Sequence, residues 1–245
     1  MQTIDVDYHD LVIEAKWAAR GLRGGNYMYH WIEDKEFESK MRSLCADIIN
    51  QLVQRINNDG GLYVEAHLVG SGAKNMITQN ANEPVDLDYN LCILENNAFD
   101  ANDGRRVKMY IQEQFNAVLK KNRWGDCQDS TSALTTEKRY FTKGNHTEFS
   151  IDLAIVQERN NRWFRLIHQK AGFVQFDQWY WNEVPHSHGL SQRVKTLKHN
   201  YLWLEVRETY LDKKNMYLRR QDHTHPSFIA YIEAVNEIHY KYFNR

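Results

Sequence analysis

Two aspartates one residue apart, Asp86 and Asp88, stand in a segment where apolar and polar residues alternate. In an extended strand Val85, Leu87, Tyr89, Leu91 and Ile93 fall on one face and Asp86, Asp88 and Asn90 on the other. Period-two spacing puts the α-carbons of the two aspartates roughly 6.8 Å apart, near enough for both carboxylates to reach one cation or a pair. A third acid, Asp152, interrupts a second alternating run in which Phe149, Ile151, Leu153 and Ile155 share the opposite face. If Asp152 joins the pair from a neighbouring strand, three carboxylates converge and repel, and a divalent cation relieves the repulsion. An all-oxygen donor set favours magnesium or manganese over zinc. A lone Asp-x-Asp is also what a solvent-facing strand displays, so the elements around it matter.

Those elements follow from periodicity. Phe37, Met41, Leu44, Ile48, Leu52 and Ile56 recur at helical spacing and stop at the Asn57 to Gly61 cluster. Leu62 to Val69 is strand-like and runs into Gly70, Ser71 and Gly72, a turn whose small residues let backbone approach a ligand or another strand. Val107, Ile111, Phe115 and Val118 predict a second helix, and Thr135 to Thr142 a strand. Lys143, Gly144 and Asn145 form a hairpin-like gap before the Asp152 strand, and strand signal fades after about residue 165. Beyond it, Leu190, Val194, Leu197, Tyr201, Leu204 and Leu211 make one helical seam, and Phe228, Ile232, Val235 and Tyr242 another after Pro226. The expected fold class is α+β: a core over residues 1–170 with N-terminal helices, followed by a helical lobe over 171–245.

Composition narrows the classes without choosing among them. The 245 residues are 42% hydrophobic and 26% charged with 12 Gly and 3 Pro, which fits a folded globular chain rather than a collagen-like or disordered one. Lys plus Arg total 31 against 32 for Asp plus Glu, a net charge of −1, so any electrostatic signal is local. It is: Asn75 to Gly104 holds six acids and no Lys or Arg, whereas Arg193 to Arg220 holds eight bases against three acids. An acidic strand and a basic helix suit a cation and a polyphosphate. No apolar stretch approaches the roughly 18 residues of a membrane span. The acidic N-terminal residues Asp5 and Asp7 do not suit a signal peptide. Three cysteines without a Cys-x-x-Cys pair suggest reduced thiols, so a soluble cytoplasmic protein is expected.

Gly70-Ser71 after a strand, Asp86-Leu87-Asp88 within the next and Ile151-Asp152-Leu153 on a third together resemble the DNA polymerase beta-type nucleotidyltransferase superfamily. The segment Leu190 to Lys198 is similar to the lysine-bearing helix of its template-independent branch, which includes poly(A) polymerases, oligoadenylate synthases and bacterial cyclic-oligonucleotide synthases. The resemblance spans roughly residues 62 to 200. It implies a nucleotidyltransferase-like mixed sheet flanked by helices, with a C-terminal helical lobe. It further implies transfer of a nucleoside monophosphate from a nucleoside triphosphate to an acceptor hydroxyl, with release of pyrophosphate. Asp86, Asp88 and Asp152 would be the catalytic, metal-binding acids, for magnesium or manganese. Gly70 and Ser71 would hold the terminal phosphates, and Lys195 the triphosphate tail, with Lys198 second and Ser191 on the same helical face. Fourteen residues separate Ser71 from Asp86, and Asn75 to Glu83 is expected to be a flexible loop at the mouth. The chain is short for the oligonucleotide synthases of this branch, so a small acceptor or one end of an RNA fits best, with a protein or a second nucleotide also open. The alternative is a nucleotide- or RNA-binding protein of the same fold without turnover; membership of a toxin–antitoxin or defence assembly is compatible with either.

Other motifs weigh less. His186 with His188, and His223 with His225, have the i, i+2 spacing of a metal chelate, but histidines beside Pro185 and Pro226 suit plain surface turns. Trp179, Tyr180 and Trp181 could stack a nucleobase, as could Trp203, though such clusters more commonly pack as core. Lys74 is a secondary candidate for a phosphate contact, outside any P-loop pattern, and Arg20 to Gly25 suits a flexible turn better than a phosphate loop.

Overall fold

A computed structural model describes residues 28–100, 102–184, 189–222 and 227–243. The chain forms two compact units: Trp31–Glu183, and Met1–His30 together with Val184–Arg245. The short strand β1 (Tyr29–Trp31) spans the junction in sequence.

In the first unit, helix α1 (Lys35–Asp59) begins where Asp34 accepts the Phe37 N–H and ends at Gly60, whose φ of 78° needs no side chain. Its buried stripe runs Phe37, Met41, Cys45, Ile48, Leu52 and Ile56. After it come β2 (Leu62–Leu68), the one-turn helix α2 (Gly70–Lys74), β3 (Thr78–Asn80) and β4 (Val85–Asn96). Helix α3 (Gly104–Lys121) starts at Asp103, which accepts the Arg106 N–H, and buries Val107, Ile111, Phe115 and Leu119. The remaining strands are β5 (Gln128–Asp129), β6 (Leu134–Thr135), β7 (Phe149–Arg159), β8 (Arg162–Gln169) and β9 (Gln178–Glu183).

Seven of these strands make one mixed sheet in the order β2-β4-β7-β6-β5, with β8 pairing both β7 and β9. Only β4 and β7 run parallel; the other pairs are antiparallel. The apolar faces of β4 and β7 join the stripes of α1 and α3 in one core, so the aspartate face looks away from those helices. Asn160 and Asn161, at φ 52° and 60°, make the tight β7–β8 hairpin, a geometry short polar side chains tolerate.

In the second unit α4 (Leu190–His199), α5 (Trp203–Arg219) and α6 (Ser227–Phe243) supply the described helices. Asn215 exchanges two hydrogen bonds with the backbone of Tyr29, at 2.7 and 3.0 Å, tying the start of β1 to α5.

The mixed α/β sheet with flanking and C-terminal helices is the expected fold class, and several elements depart from expectation. The predicted strand Thr135 to Thr142 stops at Thr135. Its next residue gives the Ile151 N–H a hydroxyl instead of a carbonyl, and pairing resumes only at an isolated bridge between Arg139 and Phe149. The expected mouth loop contains β3, and the strands do not end near residue 165 but continue through β8 into β9. The single seam from Leu190 to Leu211 is broken. Asn200 turns back on Thr196, Tyr201 takes a left-handed φ of 60° and is 93% exposed, and α5 instead buries Val206, Tyr210 and Tyr217.

Candidate active site

The parallel register of β4 and β7 sets Asp88 directly beside Asp152 and Asp86 beside Ser150. Partners in register on adjacent strands point to the same face, and positions i and i+2 of one strand do so too, so all three aspartates share a face. Adjacent strands lie about 4.8 Å apart. Asp152 is 4% exposed, while Asp86 and Asp88 are half-buried. Burying a carboxylate without hydrogen bonds is costly, and here hydroxyls contribute. Ser150 donates to Asp86 Oδ1, and Thr135, the β6 partner of Asp152, donates to Asp152 Oδ1.

Strand β2 brings a further group. The Val69 N–H donates to the Asp88 carbonyl at 2.9 Å, extending the β2–β4 ladder by a rung and laying Gly70 against Asp88. Gly70 has φ 61°, and a Cβ there would collide with the Asp88 carboxylate. The glycine turn is thus the first turn of α2, in which Lys74 Nζ donates to the Gly70 carbonyl at 3.1 Å. Ser71 is the next residue of the same turn, and its carbonyl accepts the Met76 N–H.

The donor chemistry of the three aspartates fits a hard divalent cation. As the side chains stand, no group of three or more His, Cys, Asp or Glu among the described residues is gathered so that it could hold a metal ion.

Ser191, Lys195 and Lys198 lie exposed on α4, in the second unit, with Lys198 Nζ 4.6 Å from the centroid of Trp203. Of the three aromatics on β9, Trp179 stacks on His168 at 4.1 Å beneath Arg105, and Trp181 packs against the core with Arg159 over it. The two His-x-His pairs and the Arg20 to Gly25 segment fall outside the described residues.

The two hydroxyls on the acids escaped the sequence reading. Ser150 carries a signal, because Ser150-x-Asp152 on β7 repeats the i, i+2 spacing of Asp86-x-Asp88. Thr135 carries none: it sits among the Ser and Thr residues of 130–136, and only the β6–β7 register singles it out.

No protein-family profile matches the chain, and none of the curated proteins does. Solved structures do. CdnC of Escherichia coli MS115-1, determined with ATP, is 13% identical with a TM-score of 0.54 over 96% of this chain and 66% of that one. The chain has the nucleotidyltransferase fold. It spans just under two thirds of the length of CdnC. Weaker matches are the CdnE cyclic dinucleotide synthase of Elizabethkingia meningoseptica, solved with GTP and Apcpp, and the Vibrio cholerae DncV cyclic AMP-GMP synthase. CdnE is 14% identical with a TM-score of 0.46, over 91% of this chain and 74% of that chain. DncV is 8% identical with a TM-score of 0.45, over 84% and 65%. The fold that the sequence resemblance implies is therefore the fold observed, shared with CdnC.

Proposed function

We propose that this nucleotidyltransferase fold is catalytic: it moves a nucleoside monophosphate from a nucleoside triphosphate to an acceptor hydroxyl and releases pyrophosphate. The observation that carries the reading is the shared face of Asp86, Asp88 and Asp152, with Gly70 seated on Asp88. The three acids would hold magnesium or manganese. That cation, when bound, supplies positive charge beside the α-phosphate and the leaving group. Asp152 takes the proton of the acceptor hydroxyl. The acceptor oxygen then bonds to the α-phosphorus as the bond to the β-phosphate oxygen breaks, and the electron pair leaves with pyrophosphate. Ser71 and the backbone at Gly70 hold the terminal phosphates; Lys195, seconded by Lys198 and Ser191, neutralises the triphosphate tail. No protein nucleophile is required. The acceptor is a small molecule, an RNA end, a protein or a second nucleotide.

The test is pyrophosphate release from ATP, GTP, CTP and UTP with magnesium across these acceptors, with product masses read by mass spectrometry. We expect release by the wild type and a fall in kcat of at least about 100-fold in Asp152→Ala, the usual scale for losing a positioned base. Unchanged turnover in that variant removes Asp152 from the site. Magnesium-dependent nucleotide binding by calorimetry with no product would instead make the chain a binder of this fold.

A further inference from the structure

The three acids are not held alike. Asp152 is the most buried, and the hydroxyl it meets belongs to a strand of only two residues. So short a strand has little stability of its own, yet β6 is fixed on every side. Leu134 and Thr135 pair with Leu153 and Asp152 on β7, and with Asp129 and Gln128 on β5. The adjoining Thr136 exchanges two hydrogen bonds with Ile151, at 2.9 and 3.0 Å. At the β5–β6 turn Lys108, only 1% exposed, reaches out of α3 to the Ser130 carbonyl at 2.8 Å and to Asp129 at 2.6 Å. His168 holds the other carboxylate oxygen of Asp129, and its own N–H donates to the Thr131 carbonyl. A buried ion pair such as Lys108–Asp129 contributes little to stability compared with a pair of apolar residues of the same volume. What it secures here is the position of the turn that carries Thr135.

We propose that Thr135 is a positioning residue for the third metal-binding acid: its hydroxyl, fixed by the Lys108-anchored β5–β6 turn, engages Oδ1 of Asp152 and so sets the carboxylate's orientation toward the cation. This rests on the proposed function and deepens it. In metal sites, partners that orient a ligand typically alter affinity or activity 10- to 100-fold when removed. Thr135→Val keeps the shape and the β-branching and removes only the donor.

The decisive readout is manganese binding to the nucleotide-free protein, followed by electron paramagnetic resonance, together with kcat and KM for pyrophosphate release. For Thr135→Val we expect manganese affinity and kcat each to fall roughly tenfold or more, with KM for the nucleotide within about twofold. Thr135→Ser, which restores the donor, should recover both. Should Thr135→Val be too unstable to purify, Thr135→Ala is read by the same measurements, and recovery in Thr135→Ser stands independently. Manganese affinity equal in Thr135→Val and wild type overturns the assignment, as does equal loss in Thr135→Val and Thr135→Ser. An inactive wild type that still binds manganese, more weakly in Thr135→Val, would sink the transfer reaction and leave Thr135 in its place.

Discussion

Gly70 is where a single atom matters most. Its φ of 61° lies in the left-handed region, and the missing Cβ is the space that the Asp88 carboxylate fills. Gly70→Ala therefore combines backbone strain of roughly 1–2 kcal/mol with displacement of a proposed metal-binding acid. We expect it to lower the melting temperature modestly and pyrophosphate release severely; an alanine variant as active as wild type would disconnect the glycine turn from the acids. The thiols behave oppositely, as inert packing. Burial pushes Cys45 and Cys127 up to about 12 and Cys92 up to about 11, so all three stay protonated at neutral pH. Alkylation at pH 7.5 should modify none in the native protein and three after denaturation. At this scale the sequence was legible wherever a face is set by local spacing: Asp86 and Asp88 are two residues apart, and strand period alone puts them side by side. The hydroxyls of Ser150 and Thr135 were not, because each meets its acid across a register fixed by pairing between distant segments, 64 and 17 residues apart.

Long elements with two-sided burial contrast were readable; short ones held by tertiary partners were not. Helices α1 and α3 have complete apolar stripes and acidic caps, and β4 alternates cleanly because one face meets the core and the other carries the acids. Strand β7 is buried at nine successive residues, Phe149 to Gln157, so its alternation marks two covered faces rather than one wet one. Strands β5 and β6 carry no periodicity in two residues each and exist because Lys108, Asp129 and His168 anchor their turn. That anchor is testable. Lys108→Met leaves the largely buried Asp129 carboxylate without its lysine, for an expected loss of about 3 kcal/mol, and Lys108→Met with Asp129→Asn should cost less than the sum of the single changes. Its pH dependence has a definite sign. Burial holds the Lys108 ammonium below its ordinary 10.5, with Asp129 opposing. The charged form is thus disfavoured in the folded state, and this penalty is full below the folded pKa and fades as pH rises toward 10.5. Urea denaturation from pH 8 to 10.5 should show that stabilising increment in wild type and not in Lys108→Met.

For the molecule as a whole, near-neutral net charge conceals a separation of sign between the units. The six acids of Asn75 to Gly104 belong to the sheet unit, and the eight bases of Arg193 to Arg220 to the helical one. The proposed reaction assigns Asp86 and Asp88 to the cation and Lys195 to the triphosphate tail. A ligand that binds only the folded state stabilises it by RT ln(1 + [L]/Kd), about 2.7 kcal/mol at a hundredfold excess over Kd. For a chain of this length that is a rise in melting temperature of roughly 5–10 °C. We expect ATP with magnesium, at saturation for wild type, to produce such a rise in differential scanning fluorimetry. Lys195→Ala and Asp88→Asn should each shrink it without altering the nucleotide-free melting curve by more than a degree or two, Lys195 because it is exposed and Asp88→Asn because it preserves shape. Two compact units need not unfold in one transition, and that makes the experiment sharper. A nucleotide anchored by the acids alone raises only the transition of the sheet unit and is indifferent to Lys195→Ala, an outcome that would strip the α4 lysines of their role while leaving the acids theirs.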